Sequence, residues 1–429
     1  MTTTAPTPAL PLDYAGDSIT ARQRWLVLVA AFLGWMFDGV EMGIFPLVAR
    51  PALQELLGVQ SDAAVGQWMG IVTALFLVGA AAGGVLFGWL GDRFGRVRAM
   101  ALSVLVYSVF TGLCFFAKAA WQLAAMRFVA SLGMGGEWAL GVALVMECWP
   151  DVRRPLLAGA IGAASNVGFA LIAVLGAFFP VRPDSWRWVM LAGAAPAVLT
   201  FFIRLFVPES QRWKDSVECA GPTRTSPLRE VFSPPLLRMT LLGIALASIA
   251  LIGTWGSVQW IPLWVDKLTG GQLPRAKAWS QIFSAGGAVV GGFLGAWVAG
   301  HVGRRPAYFT LCLGSLILCA TLFRVPHAYG ATMLLLIFAV GCFTAAFYGW
   351  LPLYLPELFP TRSRTTGQGI GYNAGRIIAA VGALTSGQLV KEVYKGDYAR
   401  MMATITLVYV VGMVVIWFAP ETKGKPLPA

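Results

Sequence analysis

Five charged residues lie deep within apolar stretches of the chain: Asp38, Glu41, Arg127, Glu137 and Arg376. A charge near the centre of a bilayer costs at least ~2.5 kcal/mol, so a side chain kept there usually has a task. Fully ionised, the five sum to −1, and one bound proton would balance them. Asp38 and Glu41 stand three residues apart, on one face if the segment is helical. Two carboxylates that close in a low dielectric cannot both ionise cheaply, so one of them is expected to carry a proton. Arg376 stands apart from other charges, and its planar guanidinium suits bidentate capture of a carboxylate. The competing expectation for Arg376 is a bond to backbone carbonyls or to an acid of the first half. Glu137 follows Arg127 by ten residues, about 15 Å along a helix, where it either lines a cavity or sits in a glycine-rich helix contact.

The elements that must position these groups are membrane helices. The 429 residues are 57% hydrophobic and 12% charged, against roughly 25% charged in soluble domains. A spanning helix needs about 20 mainly apolar residues. Twelve such runs fit, near 24–47, 66–90, 97–117, 121–148, 156–179, 187–207, 239–264, 278–300, 307–324, 331–355, 366–390 and 401–419. The expected fold is therefore an all-α polytopic membrane protein, with residues 1–207 and 239–429 as six-helix bundles and 208–238 as a central cytoplasmic loop. Loops on the side of the termini carry eighteen Lys and Arg against eleven on the other side, which favours cytoplasmic termini.

Net charge is +12, but the basic residues sit in short clusters between apolar runs, which excludes a nucleic-acid-binding face. The six cysteines show no CxxC spacing and are expected to be small packing residues. His301 and His327 have no neighbours at metal-ligand spacing, and neither a cofactor motif nor a cleavable leader is expected. Polar and aromatic residues near the middles of the runs, namely Asn166, Trp255, Gln259, Gln281, Tyr348, Tyr372 and Asn373, either shape a pocket or serve helix packing.

Three landmarks recur at nearly one offset. Gly95-Arg96 is echoed by Gly303-Arg304. Glu147, Pro150 and Arg154 are echoed by Glu357, Pro360 and Arg364. Pro208-Glu209-Ser210 is echoed by Pro420-Glu421-Thr422. Each pair falls at the same end of equivalent runs, so a duplicated six-helix unit is expected.

The stretch Gly88-Trp-Leu-Gly-Asp92-Arg93-Phe-Gly95-Arg96-Val-Arg98 resembles the signature loop of the major facilitator superfamily, and the two Pro-Glu-Ser/Thr marks resemble those closing each half of sugar porters. Arg127-Phe-Val-Ala-Ser-Leu-Gly-Met-Gly-Gly-Glu-Trp-Ala-Leu-Gly141 is similar to the fourth helix of sialate and monocarboxylate proton symporters. Asp38-Gly-Val-Glu41 is similar to the D-G-x-D of aromatic-acid proton symporters, and Asn373-Ala-Gly-Arg376 to the helix-eleven Arg of organic-anion carriers. The resemblance covers the whole chain and implies two bundles around a central cavity that opens alternately to each side. It implies that Glu41, with Asp38, handles a proton and that Arg127 modulates it, or else that Glu41 and Arg127 form a static pair. It also implies an ion-pair lock at one end from Asp92, Arg93, Arg96, Glu147, Arg154, Arg304, Glu357 and Arg364. The second-half loop carries Gly300 where the signature Asp would stand, and the paired glutamines of sugar porters are missing.

The expected function is proton-coupled symport of a small organic anion (sialate, a monocarboxylate or an aromatic acid) across an inner membrane, by a protein working as a monomer. Arg376, Asn373, Tyr372, Glu137, Asn166, Gln259, Gln281 and Tyr348 are the expected substrate-site residues. A sugar importer, a drug exporter by antiport and a sensor without flux are the alternatives.

Overall fold

The computed structural model describes residues 19–58, 62–150, 153–178, 181, 184–220, 226–269, 273–325, 328–388, 393–395 and 397–428. His327 and the acids Asp13 and Asp17 lie outside the described residues. The chain is an all-α membrane protein of two pseudo-symmetric six-helix bundles. Among the described residues, ten helices are long and apolar enough to cross a bilayer.

In the first bundle these are α1 (Ala21–Leu57), α2 (Asp62–Phe94), α3 (Arg96–Leu113), α4 (Ala120–Cys148) and α5 (Arg154–Phe178). The expected sixth run, 187–207, is broken instead into α6 (Trp186–Ala192) and α7 (Ala197–Phe206). Pro196 interrupts it, because a proline inside a helix removes a hydrogen-bond donor. The expected loop 208–238 contains α8 (Gln211–Ala220) and α9 (Pro227–Val231), and α10 begins within it.

The second bundle comprises α10 (Pro234–Gly256), α11 (Ile261–Leu268), α12 (Pro274–Val302), α13 (Arg304–Leu322), α14 (Ala331–Ala345), α15 (Phe347–Tyr354), α16 (Arg364–Gln388), α17 (Tyr398–Ile405) and α18 (Val408–Val415). Three expected continuous runs are interrupted here. The seventh breaks at Ser257 between α10 and α11, just ahead of Pro262, whereas the tenth at Ala346 and the twelfth at Thr406 and Leu407 are interrupted with the backbone still right-handed helical. Discontinuous spans leave backbone groups that only a protein-lined cavity or a packed seam can tolerate.

Packing repeats between the bundles. Helix α2 packs on α4 as α12 packs on α14, and α1 on α5 as α10 on α16. The bundles meet where α2 crosses α16 and where α5 crosses α12, so the second helix of each contacts the fifth of the other. These seams exploit small residues: Gly88 faces the Thr365 carbonyl, and Gly292 lies against Ala163. Close backbone approach of this kind is how membrane helices associate without a hydrophobic drive.

The repeated Pro-Glu-Ser/Thr marks have the same structural job in both bundles. Glu209 accepts hydrogen bonds from the N–H groups of Arg96 and Val97, at 3.0 and 3.1 Å. Glu421 does so from Arg304 and Arg305, at 2.9 and 3.0 Å. Each carboxylate therefore caps the N-terminus of the third helix of its own bundle, satisfying orphan donors and the positive helix end. Gly95 and Gly303, at φ 108° and 105°, supply the backbone bend that only glycine adopts cheaply. At Glu421 desolvation is outweighed by four backbone N–H groups, which hold the carboxyl below its ordinary range. At Glu209 desolvation wins and pushes the carboxyl up. Glu421→Ala should cost about 1 kcal/mol, read as a lowered melting temperature at neutral pH. Because the folded value is depressed, this loss should shrink only as pH falls through the acidic carboxylate range.

Candidate functional site

Ions at the end of the molecule where the described chain begins and ends, near Arg24 and Pro428, join the bundles. Arg96 pairs with Asp92 at 3.0 Å and with Glu147 at 3.1 Å, and donates to the Thr361 carbonyl at 2.6 Å. Glu147 also binds Arg364 of the other bundle at 2.7 Å. Asp92 accepts from the N–H groups of Thr365 and Thr366, at 3.2 and 2.8 Å, and from the Thr366 hydroxyl at 2.6 Å. An acid of α2 thus caps the first turn of α16 across the seam.

The second bundle holds a separate pair, Arg304 bidentate to Glu357 at 3.0 and 2.6 Å. Arg154 acts electrostatically on Glu357 from the other bundle. At the symmetry-related seam Gly300 lies against Pro155, where an added methyl would sit 2.9 Å from the proline Cγ. A proline has no N–H to cap, so the acid missing at 300 has no donor to serve at 155. The lock is asymmetric on both sides of the contact. Arg93 is not part of it: the side chain is exposed and lies 5.3 Å from the Trp89 ring.

Further into the bundles, Glu41 forms an ion pair with Arg127 and accepts from Thr111 at 2.8 Å. The Arg127 guanidinium lies over Phe76 at 4.7 Å and Phe45 at 5.4 Å. This pair is dry, with exposures of 1% and 2%, and ties α1 to α4.

Asp38 does not share that pair. Its carboxyl faces Glu137, within hydrogen-bond reach. No protein nitrogen or hydroxyl among the described residues donates to either carboxyl. Gly34, one turn before Asp38, makes the meeting possible, since a methyl there would overlap Glu137 Oε1. Glu137, expected to line the substrate cavity, is instead packed behind it as the partner of Asp38.

Arg376 is 4% exposed and lies close enough to Asp38 to act on it electrostatically. Its guanidinium stands 5.0 Å from the Tyr372 ring and donates to Asn373 Oδ1 at 3.0 Å. Tyr372 stacks on Trp138 of the other bundle at 4.2 Å, with Trp35 edge-on at 6.5 Å. Together these groups floor a cavity that Trp35, Tyr372 and Arg376 line. It continues into a second space through shared walls at Asn166, Phe169, Thr254, Gln259 and Tyr348. Gln259 and Gln281 are exposed at its mouth, on the side away from the termini. Tyr348 lies within hydrogen-bond reach of Thr254, and both flank helix breaks.

The structure therefore brings Arg376, Tyr372, Asn166, Trp255, Gln259, Gln281 and Tyr348 to one cavity. Asn373 is fully buried and lies beside the cavity rather than on its wall. Trp35, Trp138, Thr254 and Phe169 went unrecognised in the sequence. Trp35 and Trp138 flank Asp38 and Glu137 by three and one positions, a signal visible only once those acids are known to meet.

The family profile described as Major Facilitator Superfamily matches residues 25–383. A probable 4-methylmuconolactone transporter of Cupriavidus pinatubonensis is 30% identical, over 92% of this chain and 90% of that protein. A cis,cis-muconate transport protein of Acinetobacter baylyi is 28% identical over 85% of this chain and 87% of its own length. Among solved structures, the proton:xylose symporter XylE is similar with a TM-score of 0.78, at 20% identity, covering 95% of this chain and 98% of that one.

Proposed function

The chain belongs to the Major Facilitator Superfamily and is a transporter, and we propose that it is a proton-coupled symporter importing a small organic anion by alternating access. The carrying observation is one cation beside one carboxyl pair. Arg376 is the only charged residue among the described residues lining the cavity, and Asp38 and Glu137 meet directly behind it.

The charges suggest why proton and anion would travel together. Two touching carboxyls without another donor satisfy themselves by sharing one proton. The pair then carries −1 and balances Arg376. A second proton leaves Arg376 uncompensated, and a substrate carboxylate restores neutrality. Glu41 and Arg127 balance each other throughout. In this reading the proton sits on Asp38 and Glu137, and Glu41 with Arg127 is a structural pair. The lock at the end carrying the termini is closed while the cavity opens at the other end, which fits an outward-facing state with both termini in the cytoplasm, at the inner membrane.

The relatives handle methylmuconolactone, muconate, niacin and sialic acid by name, which favours organic acids. A sugar finds support in the amide and hydroxyl wall of Asn166, Gln259, Gln281 and Tyr348, but offers no charge to replace that of the Asp38–Glu137 pair once it takes a second proton.

The test is a thermal-shift screen of the purified protein against niacin, cis,cis-muconate, sialic acid and xylose. At least one acid should stabilise it and xylose should not. Arg376→Ala should weaken that acid by about 10- to 100-fold, the worth of a charge-assisted hydrogen-bond pair. Arg376→Lys keeps the charge but loses the fork, and should raise the transport KM. Stabilisation by xylose alone, or an acid response indifferent to Arg376, would overturn the reading.

A further inference from the structure

Asn373 makes three hydrogen bonds, one of them to the other bundle and two within its own helix. Its Nδ2 donates to the Gly135 carbonyl of α4 at 3.3 Å and to the Gly369 carbonyl of its own helix at 2.9 Å. Its Oδ1 accepts from Arg376 at 3.0 Å. The side chain enters a socket in the first bundle whose wall is Gly84 of α2, where a methyl would overlap Nδ2. Gly135 is two residues before Glu137 on the same helix. One amide therefore touches the helix of the proposed proton site with one end and the proposed anion-binding Arg with the other.

The socket belongs to a ladder along the seam. Positions 84, 88 and 92 of α2 follow one another at helical-turn spacing. Gly84 receives Asn373, the Gly88 carbonyl accepts from the Thr365 hydroxyl at 2.7 Å, and Asp92 caps α16. Asn373 is the rung nearest the cavity. It is also the rung that senses Arg376.

We propose that Asn373 is a positioning residue that makes opening of the α2–α16 seam conditional on anion binding at Arg376. In the empty carrier Arg376 holds the amide by its oxygen, which fixes the NH2 group on the Gly135 carbonyl. A carboxylate that draws Arg376 forward frees the oxygen, the amide can turn, and the bond to Gly135 is lost. The seam then opens from the cavity downwards. The proposal rests on the symport reading above, and it adds the element that keeps the loaded proton from crossing alone.

The experiment measures proton entry into pyranine-loaded proteoliposomes under an imposed pH gradient, first with no organic acid present and then with niacin or cis,cis-muconate. Wild type should admit protons only with an acid that it transports. Asn373→Ala should raise the acid-free rate by about two- to tenfold, the equilibrium change from losing one buried hydrogen bond. Asn373→Asp keeps the acceptor for Arg376 but has no donor for Gly135, and should leak equally. Gly84→Ala fills the socket without touching Arg376, and should leak as well. A folding defect alone would lower the acid-driven and acid-free rates together. Folded Asn373→Asp and Gly84→Ala proteins with the wild-type ratio of the two rates would overturn the role of Asn373. Absence of any acid-dependent proton entry in wild type would instead overturn the symport reading.

Discussion

Glu137→Gln should abolish uphill transport while leaving exchange across the membrane. With a pH gradient of about one unit, 1:1 symport of a proton and a monoanion sustains about tenfold accumulation, since one pH unit is worth 1.36 kcal/mol. In Glu137→Gln proteoliposomes the ratio should fall to unity, and counterflow of preloaded substrate should continue. The amide mimics a permanently protonated acid at the atom that faces Asp38. Asp38→Asn should act in the same way, because one carboxyl alone beside Arg376 cannot cycle between sharing a proton and holding two. Glu41→Gln is the contrast. It leaves the Arg127 guanidinium buried without its ion partner, so it should lower thermal stability, and its effect on accumulation should follow the loss of folded protein. Accumulation that persists in Glu137→Gln and vanishes in folded Glu41→Gln would return the proton to the Glu41–Arg127 pair.

Glu147→Gln should produce the largest loss at the lock. Glu147 is the acid that Arg96 and Arg364 share, one from each bundle, at 3.1 and 2.7 Å and with no side-chain exposure. Removing one partner of a buried pair costs about 3–5 kcal/mol, because the remaining charge stays in a low dielectric. Here two guanidiniums are left facing each other. The closed arrangement of the terminal end should be lost, read as a lower melting temperature and faster labelling of a cysteine placed at Thr361. Arg93→Ala is the internal control. Its side chain is exposed against Trp89, and surface changes of that kind stay within about 0.5 kcal/mol. Equal labelling of the Glu147 and Arg93 variants would mean that the ion network does not hold this end closed.

The asymmetry between the seams gives these effects their direction. At α2–α16 the contact is made of an acid, a helix end and shared arginines, all of which water can replace. At Gly300 and Pro155 it is an apolar contact between partly exposed positions, and the charge across that seam comes from Arg154 acting on Glu357 rather than from a capping acid.

Much of this was legible in the sequence. The apolar runs, the duplicated landmarks and the five buried charges all follow from local composition, because bilayer thickness and the cost of a buried charge act on each segment separately. That Glu209 and Glu421 repeat was plain. Their helix-capping role was not, since it depends on where the chain returns more than a hundred residues later. The expected pairing of Asp38 with Glu41 came from spacing along one helix. Tertiary packing overrode it: α4 presents Arg127 at the level of Glu41 and Glu137 at the level of Asp38, and Gly34 clears the space for the second meeting. The break at Ser257 likewise becomes intelligible only beside the cavity that Val258 and Gln259 line. Sequence alone determined which groups must be buried and in what solvent. The tertiary structure alone decided which buried group meets which, because helix rotation and register are fixed by packing among many helices rather than by any one of them.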